Sequence, residues 1–286
     1  MDADELMILG RPGSGKTHYG GQLYGRLQRR PGALTLQTRA GTPTNLALFE
    51  EVLSALQEGR AARHTPTATW DDLVLPLQTA SGRPVHLAWP DYGGEQVDLI
   101  RRQRRAPPSW QARLKSSTGW VVLIRLKAET TYPDAMDELV RRARPDAAAP
   151  GEDEARLRDW DANAAWVELM QLLLHVAGVG SLQRVTKKRL CVILSCYDEL
   201  DAGDCAPREV LRARLPLLSA YLESVWAPEA LSVWGLSALG EPLDKDSANE
   251  RFIDDGPESR GWVVLPDGGE ANPDLTLPLA WLLEHE

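Results

Sequence analysis

The sequence predicts a three-layer α/β sandwich around a mostly parallel sheet, formed by a single domain over residues 1–286. Short apolar runs recur along the chain and alternate with longer segments whose apolar residues have helical spacing, as is typical of this architecture. The first run, Leu6–Leu9, leads directly into a glycine-rich loop and then a helix. A strand followed in this way usually lies inside a parallel sheet.

The remaining elements follow in chain order. Strands are predicted at residues 6–9, 33–37, 73–78, 84–89, 120–126, 190–195, 231–236 and 262–265, the last of them exposed. Helices are predicted from the glycine-rich loop to about residue 30 and at 43–58, 155–177, 207–226 and 277–283. Residues 80–82 join two strands as a hairpin turn. A helix at about 43–59 and a helical and loop segment at about 127–185 are insertions into the regular alternation.

Composition and charge narrow the classes of function. A chain of 286 residues, 43% of them hydrophobic, can bury a core without disulfides. Its net charge of -9 repels nucleic-acid backbones, so no nucleic acid is expected as a partner. Cys191, Cys196 and Cys205 match no zinc spacing and fit a reducing compartment as buried thiols. Without a signal peptide or a long apolar stretch, we expect a cytoplasmic protein with no direct membrane insertion.

The glycine-rich loop carries the first motif. Gly10–Thr17 fits the phosphate-binding pattern G-x-x-x-x-G-K-[ST] at every fixed position. Its glycines allow backbone N–H groups to turn toward phosphate oxygens, and the next helix directs its positive N-terminus at the same anion. We predict that Lys16 binds the β- and γ-phosphates and that the Thr17 hydroxyl binds Mg²⁺. The other predicted phosphate-site residues are Gly10, Gly13, Ser14, Gly15 and His18.

A second motif follows the predicted strand at 84–89. Asp91-Tyr92-Gly93-Gly94 has the form D-x-x-G, which places a carboxylate beside Mg²⁺ and a glycine N–H near the γ-phosphate. We assign Asp91 to the metal and Gly94 to the γ-phosphate on this basis. The alternative is an ordinary turn after a strand, since turns favour the same residue types.

Two later strand ends carry candidate base-reading residues. GTPases have the pattern [NT]-K-x-D after a strand, and here Ser195-Cys196-Tyr197-Asp198 stands in that place. A carboxylate at Asp198 can accept both N–H groups of the guanine edge, which adenine does not offer. Ser195 and Cys196 depart from the usual Asn and Lys. The strand at 231–236 leads into Ser237-Ala238-Leu239, whose backbone N–H groups can donate to the guanine oxygen, so we assign all three, with Cys196, to the base site.

On these motifs the chain resembles the TRAFAC class of P-loop GTPases, which has a Ras-like fold. It most closely resembles the bacterial double-GTPase group of conflict-system GTPases. That likeness is carried by Leu194–Leu200, similar to the form S-C-W-D-E-L, by the ending Leu275–Leu283 and by the inserted helix before the first switch. Asp91–Gly94 is similar to the D-x-G-G of the Arf and Gα branch. The resemblance covers nearly the whole chain and implies a multi-gene system with dedicated protein partners, such as antiviral defence.

The two expected switch segments contain several candidates for the metal and the attacking water. We favour Thr65 as the threonine that caps Mg²⁺ in the first switch, with Thr67 as a second choice and Thr69 as a third. In the second switch Glu95 follows Gly94 and Gln96 comes one position later, so both are candidates for orienting water. An activating arginine could come from Arg63 or from a partner. The run Arg101–Arg105 is either a solvated helix face or a docking surface.

The sequence thus predicts a molecular switch that binds GTP with Mg²⁺ and hydrolyses it to GDP. GTP would order two loops, and hydrolysis would release them. An activating protein or companion subunits are the expected partners. Two alternatives remain: a P-loop ATPase or kinase, which would prefer ATP, and a non-hydrolysing pseudo-GTPase that binds nucleotide in order to assemble with partners.

Overall fold

The structure, a computed structural model, describes residues 3–30, 32–37, 46–62, 73–90, 94–131, 161–180, 183–203 and 205–284. These residues form one eight-stranded sheet with helices on both faces, which confirms the three-layer α/β sandwich. The strands are β1 (Asp4–Gly10), β2 (Leu34–Leu36), β3 (Leu73–Thr79), β4 (Pro84–Trp89), β5 (Gly119–Ile124), β6 (Arg189–Ser195), β7 (Leu231–Ser237) and β8 (Trp262–Val264). The helices are α1 (Lys16–Arg29), α2 (Ala47–Gln57), α3 (Glu95–Gln103), α4 (Pro108–Ser116), α5 (Ala162–Ala177), α6 (Pro207–Arg214), α7 (Pro216–Val225), α8 (Glu250–Asp255) and α9 (Leu277–Leu283).

The sheet has the strand order β2-β3-β4-β1-β5-β6-β7-β8. Its five central strands, β4, β1, β5, β6 and β7, are parallel, whereas β2, β3 and β8 are antiparallel to their neighbours. The carboxyl ends of parallel strands lie at one edge of a sheet, and ligands of open α/β sheets bind outside that edge. The loops that follow Gly10, Ile124, Ser195 and Ser237 therefore meet there.

Alternating residues of β1 supply the two core layers. Met7 and Leu9 belong to the core under α3–α7, whereas Leu6 and Ile8 belong to the core under α1 and α9. All four side chains are at most 2% exposed. Burial on both faces explains why β1 is a continuous apolar run rather than an alternating one.

Helix α2, the predicted insertion, packs on α1 through a face of glycines. A Cβ atom on Gly20 would lie 2.6 Å from the Phe49 ring, and one on Gly21 would lie 2.3 Å from the Val52 side chain. The two helices thus approach more closely than larger residues would allow. This contact fixes the position of the chain that leads into the predicted first switch.

Proline divides one predicted helix into two. The helix predicted at 207–226 is two helices, α6 and α7, because Pro216 has no N–H to continue the hydrogen-bond ladder of α6 and instead begins α7. The charged segment after Gln96, for which no helix was predicted, forms α3 and α4: α3 ends at Gln103, and Pro108 begins α4.

Three further boundaries or exposures differ from the sequence prediction. Helix α5 begins at Ala162 because the Asp161 carboxylate accepts from the Asn163 and Ala164 N–H groups as an N-cap. Strand β8 is largely buried rather than exposed, since Val263 is 0% exposed where β8 pairs with β7. Of the three thiols, Cys191 alone is fully buried, whereas Cys196 is partly exposed and Cys205 exposed.

No helix in the described part of the chain is long and apolar enough to cross a membrane.

Candidate nucleotide-binding site

The loop between β1 and α1 forms a tight turn with two glycines in the left-handed region. Gly13 has φ +73° and Gly15 has φ +83°, conformations that are strained for other residues. The Ser14 N–H donates to the Arg11 carbonyl at 3.1 Å, and Gly15 caps the N-terminus of α1. The loop thereby presents the N-terminus of a 14-residue helix to the sheet edge, which suits a phosphate group.

Lys16 lies almost entirely inside this loop. Its side chain is buried, and Nζ donates to the carbonyl oxygens of Gly10 and Arg11 and lies 3.4 Å from Ser14 Oγ. The loop carbonyls therefore hold the ammonium group beside the turn. Thr17 follows Lys16 in the first turn of α1 and is partly buried.

Gly94 contacts the phosphate loop directly. A Cβ atom at this position would lie 2.5 Å from Pro12 N and 2.8 Å from Lys16 Nζ. Gly94 also has φ +95° and caps α3. The structure thus brings Gly94, the last residue of the D-x-x-G motif, against the phosphate loop.

Arg11 connects the phosphate loop to two other segments. Its Nε donates to Asp98 on α3 at 3.1 Å, and one Nη donates to Glu129 after β5 at 3.0 Å. Burial raises the pKa of the Glu129 carboxyl, while the Arg11 guanidinium opposes that rise. Arg11 occupies a variable position of the phosphate-binding motif, so the motif alone could not predict its contacts with Asp98 and Glu129.

A cavity of about 300 Å³ opens beside the phosphate loop, between the ends of β6 and β7. Six of the predicted nucleotide-site residues line it: Gly15, His18, Cys196, Asp198, Ala238 and Leu239. A Cβ atom on Gly15 would lie 3.7 Å from Ser195 Cβ and 3.8 Å from Cys196 Sγ. The phosphate loop and the cavity therefore share a wall.

Ser195 and Cys196, which form part of this wall, have an unpaired hydroxyl and a rare backbone conformation, respectively. The Ser195 hydroxyl is buried and is one of the described polar groups that lack a hydrogen-bond partner, although the residue lines the cavity. Cys196 has φ +49°, which is rare outside glycine, and its thiol lines the same cavity. Burial raises the pKa of the Cys196 thiol to about 11, so the group is a neutral thiol at physiological pH.

The three residues predicted to bind the base after β7, Ser237, Ala238 and Leu239, do not all face the cavity. Ala238 and Leu239 line the cavity, but Ser237 is buried and its Oγ accepts from the Gly240 N–H at 2.9 Å. Ser237 thus shapes the turn rather than facing the cavity.

The sequence prediction missed part of the cavity wall. Arg125 lines it because β5 ends at Ile124, whereas the predicted strand at 120–126 included Arg125. The change from apolar residues to the charged Arg125 could have indicated that the strand ends at Ile124. Glu199 also lines the cavity, and the loop after β7 contributes Glu241, Pro242, Leu243 and Asp244.

His18 joins the cavity to the segment before the first switch. The Ala62 N–H donates to His18 Nε2 at 3.2 Å, and the Ala61 N–H donates to the Asp244 carbonyl at 2.9 Å. Burial, followed by the nearby Arg125 charge, lowers the His18 pKa, which suits its role as a neutral acceptor. The chain that leads to residue 63 is therefore held at the cavity rim.

The two candidates for orienting water have different surroundings. The Gln96 side-chain oxygen accepts from Trp110 Nε1 at 2.6 Å, which directs it toward α4. Glu95 begins α3 directly after Gly94 and is partly exposed. Thr65, Thr67, Thr69 and Asp91, with Arg63, lie outside the described residues.

These features define a class: a P-loop nucleotide-binding protein with a Ras-like α/β fold. The chain matches the family model of double-GTPase 1 over residues 7–282 and therefore belongs to the double-GTPase 1 family. Membership of a GTPase family supports guanine-nucleotide binding by this chain. No curated protein matches the chain.

Several solved structures are similar to this chain. The signal recognition particle receptor SRb-GTP/SRX complex from Chaetomium thermophilum is 13% identical, with 90% of this chain and 98% of that chain covered and a TM-score of 0.40. The Arl6 BBS3 small GTPase from Trypanosoma brucei, with a bound nucleotide analogue, is 10% identical, with 91% and 99% covered and a TM-score of 0.39. The S. cerevisiae Ski7 GTPase-like domain bound to GTP is 16% identical, with 86% and 45% covered and a TM-score of 0.44.

Proposed function

We propose that this protein is a GTP-binding and GTP-hydrolysing switch that requires Mg²⁺. The observation that carries the proposal is the shared wall between the phosphate loop and the cavity at the ends of β6 and β7. A nucleoside triphosphate needs a phosphate cradle and a base pocket in one continuous site, and Gly15 belongs to both.

The residues divide into phosphate-binding and base-binding groups. The N–H groups of the loop and the Lys16 ammonium would bind the phosphates. The Asp198 carboxylate, which is exposed at the cavity rim, would accept the two N–H groups of the guanine edge. The backbone after Ser237 would donate to the guanine oxygen.

The metal would be held mainly by phosphate oxygens and by the Thr17 hydroxyl. The position of Thr17 at the first turn of α1 fits this role, and magnesium commonly binds proteins through few side chains and several waters. In the part of the chain that the structure describes, no group of three or more acidic, histidine or cysteine side chains could hold a metal alone. Asp91 and either Thr65 or Thr67 complete the proposed set.

For hydrolysis we favour Glu95 over Gln96. The Gln96 oxygen is already hydrogen-bonded to the buried Trp110 indole, and releasing it would leave that N–H without a partner. Glu95 adjoins Gly94, which contacts the phosphate loop. A partner's arginine would raise a slow intrinsic rate, as it does in other GTPases of this class.

The proposal also holds that the protein is cytoplasmic and acts with protein partners in a multi-gene conflict system. Helix α3 offers a surface for such a partner, since Leu99 is 44% exposed and Arg102 and Arg105 are exposed beside it. Gly94 caps the N-terminus of this helix, so a change in the contact between Gly94 and the phosphate loop would move this surface.

The test is a binding titration of the purified chain with GTP and ATP, each competed by the other in the presence of Mg²⁺. Guanine preference, together with single-turnover hydrolysis, supports the switch. Preference for ATP would replace it with an ATPase or kinase. Tight GTP binding without turnover, even with partners added, would instead establish a pseudo-GTPase.

A further inference from the structure

The charged side chains that the structure describes around this cavity are mostly acidic. Arg125 is the only lysine or arginine among the described residues that line it, against the four carboxylates of Asp198, Glu199, Glu241 and Asp244. Arg125 directly follows β5, and the pairing of Ile124 with Leu194 places it level with Ser195 at the sheet edge. The guanidinium thus stands at the wall formed by the ends of β5 and β6.

Glu199 fixes the orientation of this cation. The Arg125 Nε donates to one Glu199 carboxylate oxygen at 3.0 Å, and an Nη donates to the other oxygen. Two parallel hydrogen bonds hold a guanidinium in the plane of the carboxylate, so the group cannot rotate freely. The Arg125 side chain keeps 37% of its surface exposed beside this pair.

The polar groups of the cavity can bind the edge of a base. The flat face of a bound base also needs a surface to pack against. Cys196 and Ser195 are too small to cover a purine ring from the β6 side. Across the cavity, Leu239, Pro242 and Leu243 provide apolar surface. A planar guanidinium is suited to lie on an aromatic face, because it combines a delocalised charge with weak hydration.

We infer that Arg125, positioned by Glu199, covers one face of the guanine ring and thereby contributes to nucleotide affinity in this chain. This inference rests on the proposed function, since it requires a guanine in the cavity. Arg125 contacts the base, and Glu199 is a positioning residue. Because Arg125 contacts the base and not the phosphates, it should raise the affinities for GTP and GDP by the same factor.

The test compares Arg125→Met with the wild type in titrations with GTP, GDP and ATP. Methionine keeps an aliphatic stem but loses the planar cation, so GTP and GDP affinities should both fall roughly 3- to 30-fold, the range of a cation–π contact. Glu199→Gln should lower both affinities by a smaller factor. Arg113→Met is the matched control, because Arg113 forms an ion pair with Glu5 at the opposite end of the sheet.

Each outcome distinguishes the inference from the proposed function. If the wild type does not bind GTP, the guanine site itself is wrong. If the wild type binds GTP and Arg125→Met binds GTP and GDP equally well, only the Arg125 inference is overturned. A loss for GTP alone would also overturn it, because that result places the arginine at the γ-phosphate. Should Arg125→Met fail to fold, Arg125→Lys and Glu199→Gln provide the same comparison.

Discussion

Gly94 and Lys16 lie so close together that a Cβ atom on Gly94 would come within 2.8 Å of the Lys16 ammonium nitrogen. The N-terminus of α3 and the phosphate loop therefore cannot move independently at this point. A ligand that displaces the lysine from its loop carbonyls would alter the contact with Gly94. The relationship explains how one helix could report on the occupant of the phosphate loop.

Gly94→Ala should uncouple the second switch. The new methyl group would collide with Pro12 N and Arg11 C, at 2.5 and 2.6 Å, in a left-handed conformation. We expect GDP binding within a few-fold of wild type but at least ~10-fold weaker binding of a non-hydrolysable GTP analogue. Gly82→Ala is the control, because Gly82 has φ +80° and no atom within 4 Å. Equal effects of both variants would contradict a specific role for Gly94.

Lys16→Ala should abolish nucleotide binding by the purified chain. The variant removes a buried ammonium that lies within the phosphate loop. Titration with GDP and GTP measures the loss, and circular dichroism establishes that the variant folds. Lys188→Met serves as a comparison, since Lys188 donates to the Leu114 and Ser117 carbonyls, far from the loop. Retained affinity in Lys16→Ala would refute the phosphate site.

Asp198→Asn should weaken guanine nucleotides selectively. The amide replaces one acceptor oxygen with a donor, which leaves guanine N–H groups unpaired at a cost of about 1–3 kcal/mol. We expect the affinity for GTP to fall while that for ATP is unchanged. Asp201→Asn, at an exposed residue three positions later, is the control. An equal loss for both nucleotides would argue against guanine selection by Asp198.

The Cys196 thiol should react slowly and be protected by nucleotide. Because its pKa is raised to about 11, only about one thiol in 10³ is ionised at pH 8, and the alkylation rate should increase as pH rises toward 11. Iodoacetamide labelling followed by mass spectrometry should modify the exposed Cys205 first and leave the buried Cys191 unmodified. GTP should slow the modification of Cys196 alone. Equal labelling of Cys196 with and without GTP would place the nucleotide elsewhere.

Substitution of Glu95 should affect GTP hydrolysis, whereas substitution of Gln96 should affect stability. Glu95→Ala should lower single-turnover GTP hydrolysis at least ~10-fold without changing stability. Gln96→Ala should leave hydrolysis within about threefold but reduce the free energy of unfolding by about 1–3 kcal/mol, because the buried Trp110 N–H loses its acceptor. Urea denaturation and rapid-quench measurements test the two variants. The opposite assignment of effects would make Gln96 the water-orienting residue.

The sequence by itself determined the features that depend on local order. A buried strand, the loop Gly10–Thr17 and a helix are specified by neighbouring residues, so the phosphate loop and the α/β class could be predicted together. Strands β3 and β4 were predictable as a hairpin for the same reason. Helix α9 was predicted with its observed bounds, Leu277–Leu283.

Only the tertiary structure decided which side chains share the cavity at the ends of β6 and β7. Arg125 and Glu199 are 74 residues apart and meet because β5 and β6 are parallel neighbours, and no local pattern encodes that pairing. The same holds for the bond between Gln96 and Trp110, which depends on how α4 packs beside α3. Strand order places residues distant in sequence at one sheet edge, and it results from packing of the whole core rather than from any single segment.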